Sequence, residues 1–290
     1  MKGRAQRWMV ASVAGVAVVV GVQVARAADV TNADRAFSNY TRETATVGEG
    51  QIRVELQGVK QQDDGHVRLT VAGLPLRAVY PNARVDSADT GLLNLIGSWG
   101  FAKNAELGFV IPGLFQSTQF TQGPPDFASG GPTVNDADIG DFLLYTKFQQ
   151  AVAKRCSLGG GVELTFPNGP SDKGLGTGEF GVNPFVSTRY EYRMIGVGLN
   201  VGYHMYTGDA DDVFSYGTEM VLRVNNEWAL RTELAGRVFN AVGTRFHELQ
   251  ILPGVDLNLS ERITIRPTGM IGGTDSAPDW GIGAGIAVTL

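Results

Sequence analysis

The chain has 290 residues, with 24 Lys and Arg against 29 Asp and Glu, and four of the basic residues but no acidic one fall within the first 27. The remainder therefore carries 20 basic and 29 acidic residues, a formal charge of −9, which excludes nucleic acid as a partner because phosphate contacts need clustered Lys and Arg. The single cysteine, Cys156, excludes an internal disulfide, and the lack of a run of about 20 apolar residues beyond the N-terminal region excludes a helical membrane span.

Lys2, Arg4 and Arg7 precede an apolar run from Trp8 to Val22, and Ala25-Arg26-Ala27 puts small residues at the two positions a signal peptidase reads. Residues 1–27 are expected to be a cleaved secretory signal of a bacterial exported protein. A membrane anchor is the rival, disfavoured by the shortness of the run and the polar stretch that begins at Asp29. Residues 28–50 are polar and without period, and are expected to form a periplasmic N-terminal segment.

From Gln51 the sequence alternates. Ile52, Val54, Leu56 and Gly58 share one face and Gln51, Arg53, Glu55 and Gln57 the other, which is the period of a strand. Gln61 to Thr90 is cut by Pro75 and Pro81 and reads as a long surface excursion. Leu93, Leu95, Gly97, Trp99 and Phe101 then face Leu107, Phe109, Ile111, Gly113 and Phe115 across a tight turn at Ala102-Lys103-Asn104. Thr121 to Ile139 reads as another long loop.

Phe142 to Phe148 and Leu158 to Phe166 repeat the pattern around a short turn, and a long loop from Pro167 to Gly178 follows. Four further segments pair across short turns near Arg193-Met194 and Asn225-Asn226-Glu227, and two more across Ser260-Glu261. The last residues, Trp280, Ile282, Ala284, Ile286, Val288 and Leu290, alternate with Gly281, Gly283, Gly285, Ala287 and Thr289, giving a strand that ends flush with the chain. About twelve strands of about 10 to 14 residues result, an even number, longer than the ~5 to 6 residues of globular strands and joined by alternating long loops and short turns.

The predicted fold is therefore all-β: a single antiparallel transmembrane β-barrel of the outer-membrane type over residues 51–290, with both termini periplasmic. A soluble β-sandwich is the alternative that the closing strand alone would allow. Outer-membrane lipid is one expected partner and the barrel-assembly machinery during biogenesis another. The chain is expected to be a monomer.

The alternation assigns the charged residues to the enclosed face. Glu106, Asp141, Lys147, Glu163, Arg189, Glu191, His204, Glu219, Arg223, Arg231, Glu233, Arg237, Glu248, Asp256 and Arg266 are the candidate lumen-lining residues. Arg189, Arg223, Arg231, Arg237 and Arg266 are placed to face Glu191, Glu219, Glu233 and Glu248 in a cross-strand ladder. Such pairs either stiffen a wet interior or line a selective conduit.

Motifs for other chemistry are weak. Gly174 to Gly178 lacks the following helix and Lys-Ser/Thr of a phosphate loop, and Asp209, Asp211 and Asp212 lack the distal Glu of a calcium loop. Of His66, His204 and His247, only His204 with Asp141 or Glu219 offers an enzymatic constellation, and a satisfied lumen histidine is the simpler reading. No cofactor, metal or catalytic residue is expected.

Several short segments carry a family resemblance. Thr46 to Leu56, Trp99-Gly100-Phe101 with Ala105-Glu106-Leu107-Gly108, Gly140-Asp141 with Lys147-Phe148, and Thr165-Phe166-Pro167-Asn168-Gly169 with Gly174 to Gly178 resemble, in that order along the chain, motifs of the transporter-like outer-membrane barrels of phenol meta-cleavage pathways. Two departures are Phe166-Pro167-Asn168 in place of Leu-Pro-Thr, and Leu290 where such barrels end in Phe. The resemblance implies a channel or uptake protein for small, often hydrophobic or aromatic, molecules. A closed structural or adhesive barrel with partner-binding loops, and a barrel-embedded hydrolase, are the competing classes.

Overall fold

A computed structural model describes residues 46–63, 70–71, 74–75, 84–122, 133–169, 178–207, 212–241, 244–274, 277 and 279–290. The signal peptide, most of the 28–50 segment, His66, Asp209, Asp211 and Gly174 to Thr177 lie outside the described residues. The strands are β1 (Ile52–Asp63), β2 (Thr70–Val71), β3 (Leu74–Pro75), β4 (Arg84–Ala102), β5 (Ala105–Gln122), β6 (Thr133–Ile139), β7 (Phe142–Ala153) and β8 (Cys156–Phe166). They continue as β9 (Gly181–Tyr192), β10 (Ile195–Tyr206), β11 (Val213–Arg223), β12 (Trp228–Ala241), β13 (Thr244–Asn258), β14 (Ile263–Gly272) and β15 (Trp280–Thr289).

Each strand from β7 to β15 pairs antiparallel with its sequence neighbour, β5 pairs with both β6 and β7, and β1 joins β4 to β15, so the sheet closes on itself. β6 and β7 are two halves of one staggered strand, which leaves a twelve-stranded barrel plus the small β2–β3 hairpin. The closing register runs without interruption from Arg53↔Thr289 to Gln62↔Trp280. Its end is sewn by Leu290, whose N–H donates to the Ile52 carbonyl (2.8 Å) while its carbonyl accepts from Ile52 N–H (3.2 Å). Closure pairs backbone groups that an open sheet edge would leave bare in lipid.

The outward face carries the apolar half of every alternation. Ile52, Val54, Leu56, Leu199, Val201, Leu230 and Ile282 are all exposed, the band a hydrocarbon surround requires. Trp99, Phe101, Phe148, Tyr190, Tyr192 and Trp228 ring the end with the short turns, while Phe115, Tyr203, Phe214 and Trp280 lie toward the other. Arg155 and Arg193, both in short turns, set their guanidinium carbons 4.6 Å and 5.3 Å from the Tyr192 ring centroid, a cation over an aromatic face at the interfacial ring.

Two expected loops are partly strand. β5 runs 18 residues to Gln122 and β4 19 residues from Arg84, more than the ~9 to 11 a tilted crossing needs. β6 occupies Thr133–Ile139 within the segment read as a loop, paired to β5 from Gly113↔Ile139 to Gln119↔Thr133. The hairpin thus projects past the band, where polar Gln, Ser, Thr and Asp can pair their backbones in water. The stagger between β6 and β7 has a local cause: Gly140 N–H donates to the Pro112 carbonyl (2.8 Å), but Pro112 has no N–H to return, and the register slips by one residue at Gly140-Asp141.

Candidate functional site

The inward face is polar, charged and almost wholly buried. All fifteen residues assigned to it from the sequence lie on the inward side of their strands or, for Asp141, at the β6–β7 break, and all but Glu191 and Arg223 are fully or nearly fully enclosed.

They gather into separate ion-pair groups. On β1, β12, β13 and β14, Arg266 Nη1 lies 2.9 Å from Glu55 Oε1 and its Nε 3.7 Å from Asp256 Oδ1, while Arg53 Nη2 meets Glu55 Oε2 at 3.1 Å and Arg231 Nη1 meets Asp256 Oδ1 at 3.8 Å. Arg231 also donates to Thr268 Oγ1 (2.8 Å). On β9 and β11, Glu191 Oε1 accepts from Arg189 Nε (2.8 Å) and Arg223 Nη2 (2.6 Å), and Arg189 Nη1 lies 3.7 Å from Glu219. Arg237 pairs with Glu248 between β12 and β13.

Charges so enclosed are tolerable only when paired, since the desolvation of each is large. Glu219 and Glu233 stand directly opposite one another in the β11–β12 register, with Arg189 drawn to Glu219 from β9. Glu163 accepts from Asn183 Nδ2 (2.8 Å).

Sequence reasoning missed part of this wall. Arg53, Glu55, Gln57, Asn94, Asn183 and Gln250 are buried on the same face. The signal was present in the alternation of β1, which sets Arg53 and Glu55 opposite its apolar side, but Arg266 finds Glu55 only because β1 closes beside β15.

The glycines of β15, small as they are, do not open a path along the closing strand. A Cβ at Gly281 would meet Met270 Cε at 2.6 Å, one at Gly283 Val59 Cγ2 at 2.9 Å, and one at Gly285 Glu55 Oε1 at 3.3 Å. Neighbouring side chains have taken up the room. Val59, Leu92, Leu114, Ala235, Leu252 and Met270, from six strands, instead form an apolar layer within the polar wall.

The end with the short turns is partly filled by the chain's own backbone. Thr46 and Val47 are buried there. Val47 N–H donates to Glu106 Oε2 (2.7 Å), Thr46 N–H to Gln149 Oε1 (3.0 Å), and Gly50 N–H to the Gly100 carbonyl (2.7 Å). Glu106 is also bound by Tyr145 Oη–H (2.9 Å) and by Lys147 Nζ at 3.6 Å, with both charged side chains fully buried. Gly100 makes room for the crossing, because a Cβ there would overlap the Val47 and Gly48 carbonyls, and Gly108 makes room for the Tyr145 ring.

Two of the motif segments therefore meet, Glu106 with Lys147, and a third joins them where Gly169 N–H donates to Asp141 Oδ1 (3.0 Å).

The chemistry candidates resolve into structural roles. His204 lies against Thr165 Oγ1 (3.2 Å) and stacks on Tyr206 with ring centroids 4.3 Å apart. Asp141 and Glu219, its suggested catalytic partners, are engaged elsewhere. His247 is exposed and stacks on Tyr216. Asp212 accepts from Tyr203 Oη–H (2.9 Å). Among the described residues, no three His, Cys, Asp or Glu side chains converge to hold a metal ion.

No family model matches the chain, and no curated protein matches it in sequence. Among solved structures it is similar to the COG4313 outer membrane channel from Pseudomonas putida F1, with a TM-score of 0.60 at 13% identity over 85% of this chain and 97% of that one. The fold is that of an outer-membrane barrel. It is also similar to the NanC porin (TM-score 0.49, 9% identity, 82% of this chain and 100% of that one) and to the CymD monoaromatic hydrocarbon channel (TM-score 0.46, 10% identity, 84% and 88%). At such identities the likeness speaks for architecture, and any role for the wall rests on the geometry above.

Proposed function

We propose that the protein is a monomeric outer-membrane channel, exported through a signal at residues 1–27, that lets small molecules pass without covalent chemistry or a cofactor. The observation that carries this reading is the closed twelve-stranded barrel whose outer wall is apolar and whose inner wall is a set of paired charges. A wall of that kind offers donors and acceptors of both signs to a polar solute. The apolar layer of Val59, Leu92, Leu114, Ala235, Leu252 and Met270 adds a surface for hydrophobic or aromatic groups, consistent with the solute class that the family resemblance implies. The fourteen charged residues of the wall and His204 would set which solutes are accepted.

One observation favours a second reading, a closed structural barrel with partner-binding outer loops: Arg237, Arg266 and Lys147 are among the largest fully buried side chains, so the interior is crowded. Reconstituted, heat-modifiable protein in liposomes separates the two. Swelling in isotonic pentose above that of empty vesicles is expected, and the absence of flux from folded protein would favour the closed barrel.

A further inference from the structure

The β13–β14 seam of the barrel wall carries two prolines on adjoining rungs. β14 and β15 pair in unbroken register from Ile263↔Val288 to Ile271↔Trp280, and β12 and β13 from Trp228↔Leu257 to Ala241↔Thr244. Between β13 and β14 the pairing is interrupted: it holds at Gln250↔Gly272 and Ile251↔Ile271, touches at Gly254↔Thr268, and resumes at Leu257↔Ile265. The pairs missing from the run are Leu252 with Met270, Pro253 with Gly269, Val255 with Pro267 and Asp256 with Arg266, and the two that contain a proline each lack one of their two donors.

The backbone alternation explains why. Gly273 N–H donates to the Leu249 carbonyl (2.7 Å) and Leu259 N–H to the Ile263 carbonyl (3.0 Å), while Asn258 N–H donates away from β14, to Glu227 on the β12 side (2.8 Å). Odd-numbered residues of both strands therefore turn their N–H and C=O toward this seam. Pro253 and Pro267 are both odd, so each sits where the ladder needs a donor and neither has one. They fall on adjoining rungs, and the carbonyls of Gly269 and Val255 lose the donors that would face them.

Pro184, in β9, removes one donor from the β9–β10 seam by the same reckoning, since Thr207 N–H donates to the Phe180 carbonyl (2.9 Å). The β13–β14 seam loses two in succession. Donors missing at membrane depth are costly, because lipid offers no replacement. Placing two on adjoining rungs of one seam yields a local weakness greater than the single donors lost at Pro184 and, in β5, at Pro112.

What lies on each side gives the weakness a use. Pro253, Pro267 and Ile271 are exposed on the outer, lipid-facing side. Directly behind the upper broken rung, on the inward side, are Leu252 and Met270, both part of the apolar layer that crosses the interior. Behind the lower rung Arg231 spans from β12 to Thr268 on β14, a polar clasp that would keep water and ions on the lumen side. The seam is shut in this structure, since a Cβ at Gly254 would lie 3.2 Å from the Pro267 carbonyl oxygen.

We propose that the β13–β14 seam is a lateral gate through which apolar solutes leave the barrel interior for the surrounding bilayer, the rungs at Pro253 and Pro267 being the ones that part. The proposal rests on the channel reading and names the route taken by one class of its solutes. Polar solutes, lacking any gain from entering hydrocarbon, keep to the axial path.

The test locks the seam. In a Cys156→Ser background, Ile251→Cys with Ile271→Cys places thiols on directly opposed residues of β13 and β14, within the Cα separation that a disulfide spans. Leu234→Cys with Ile251→Cys does the same across the intact β12–β13 seam as the control. Whole cells expressing each protein are given 1-N-phenylnaphthylamine, which fluoresces on reaching hydrocarbon, and purified protein is assayed in parallel for pentose swelling of liposomes.

Oxidation of the β13–β14 pair is expected to cut dye uptake at least tenfold, with recovery on dithiothreitol and no change in pentose swelling, while the β12–β13 pair leaves both unchanged. Pro253→Val with Pro267→Val, which returns the two donors, is expected to slow dye uptake in the same direction without any cross-link. Equal dye uptake by the locked and unlocked β13–β14 protein overturns the gate and leaves the channel standing. Equal loss in the control pair also overturns it. A parent protein that passes neither dye nor pentose overturns the channel reading, and the gate falls with it.

Discussion

Gly100→Ala is the smallest change that reports on the backbone segment in the mouth at the short-turn end. The added methyl would overlap the carbonyl oxygens of Val47 and Gly48, and backbone atoms have no rotamer by which to yield. Overpacking of this kind costs about 1 to 3 kcal/mol, and about 2 kcal/mol is a roughly 30-fold shift between docked and undocked segment. Holding the segment in place are the Val47 N–H bond to the Glu106 carboxylate (2.7 Å) and the Thr46 N–H bond to Gln149 (3.0 Å).

A charge-assisted bond contributes about 1.5 to 3 kcal/mol and a neutral one about 1, while ordering each residue costs about 1 to 2 kcal/mol. A clash of about 2 kcal/mol is thus comparable with the stronger of the two bonds that hold the segment. Single-channel recording in planar bilayers should show a larger or more frequent open level in the variant, with heat-modifiable migration unchanged. Conductance and open probability identical to the parent, in a folded variant, would refute the idea that Thr46 to Gly50 narrows the mouth.

Three further outcomes are expected. Lys147→Met alone should lower unfolding stability by about 3 to 5 kcal/mol, because it strands the buried Glu106 carboxylate, whereas Lys147→Met with Glu106→Gln should recover much of that loss; denaturant titration in detergent checks both, and additive losses would contradict the pairing. Arg266→Met removes the cation shared by Glu55 and Asp256 and should shift the reversal potential in a salt gradient toward cation preference, a shift that would be absent if the interior were closed to ions. Leu199→Arg puts a charge on the exposed mid-strand face of β10 and should cost about 2 to 4 kcal/mol in bilayer-folded protein, as lipid-facing charges at the midplane do; a change within about 0.5 kcal/mol, normal for a watered surface, would deny that this face meets lipid.

Much of the architecture is legible in the chain. Alternation such as Ile52, Val54, Leu56 against Arg53, Glu55, Gln57 fixes both the strand and its facing, because a period of two can point only one set at lipid. Closure between the first and last strands follows from the same logic. The extended β5–β6 hairpin escaped notice because Thr133 to Ile139 is polar on both faces and pairs above the band, where no apolar face is needed.

The charged wall was legible by residue type and less so by partner. Arg223, Arg237 and Arg189 do meet Glu191, Glu248 and Glu219, but Arg231 and Arg266 turn to Asp256 and to Glu55 across the closure, a proximity that depends on strand stagger. Burial of Thr46 and Val47 left no periodic trace, since a short irregular segment docks through its backbone. Pro253 and Pro267 were visible as residues, yet their shared seam emerges only once the direction of each N–H is known.

Planar-bilayer conductance of the purified, folded protein tests the central claim most directly. Discrete single-channel steps in potassium chloride, reproducibly above those of the detergent alone and enlarged by Gly100→Ala, are the expected result. Folded protein that inserts into the bilayer and carries no measurable current, with or without that substitution, would contradict the claim that this barrel is a channel.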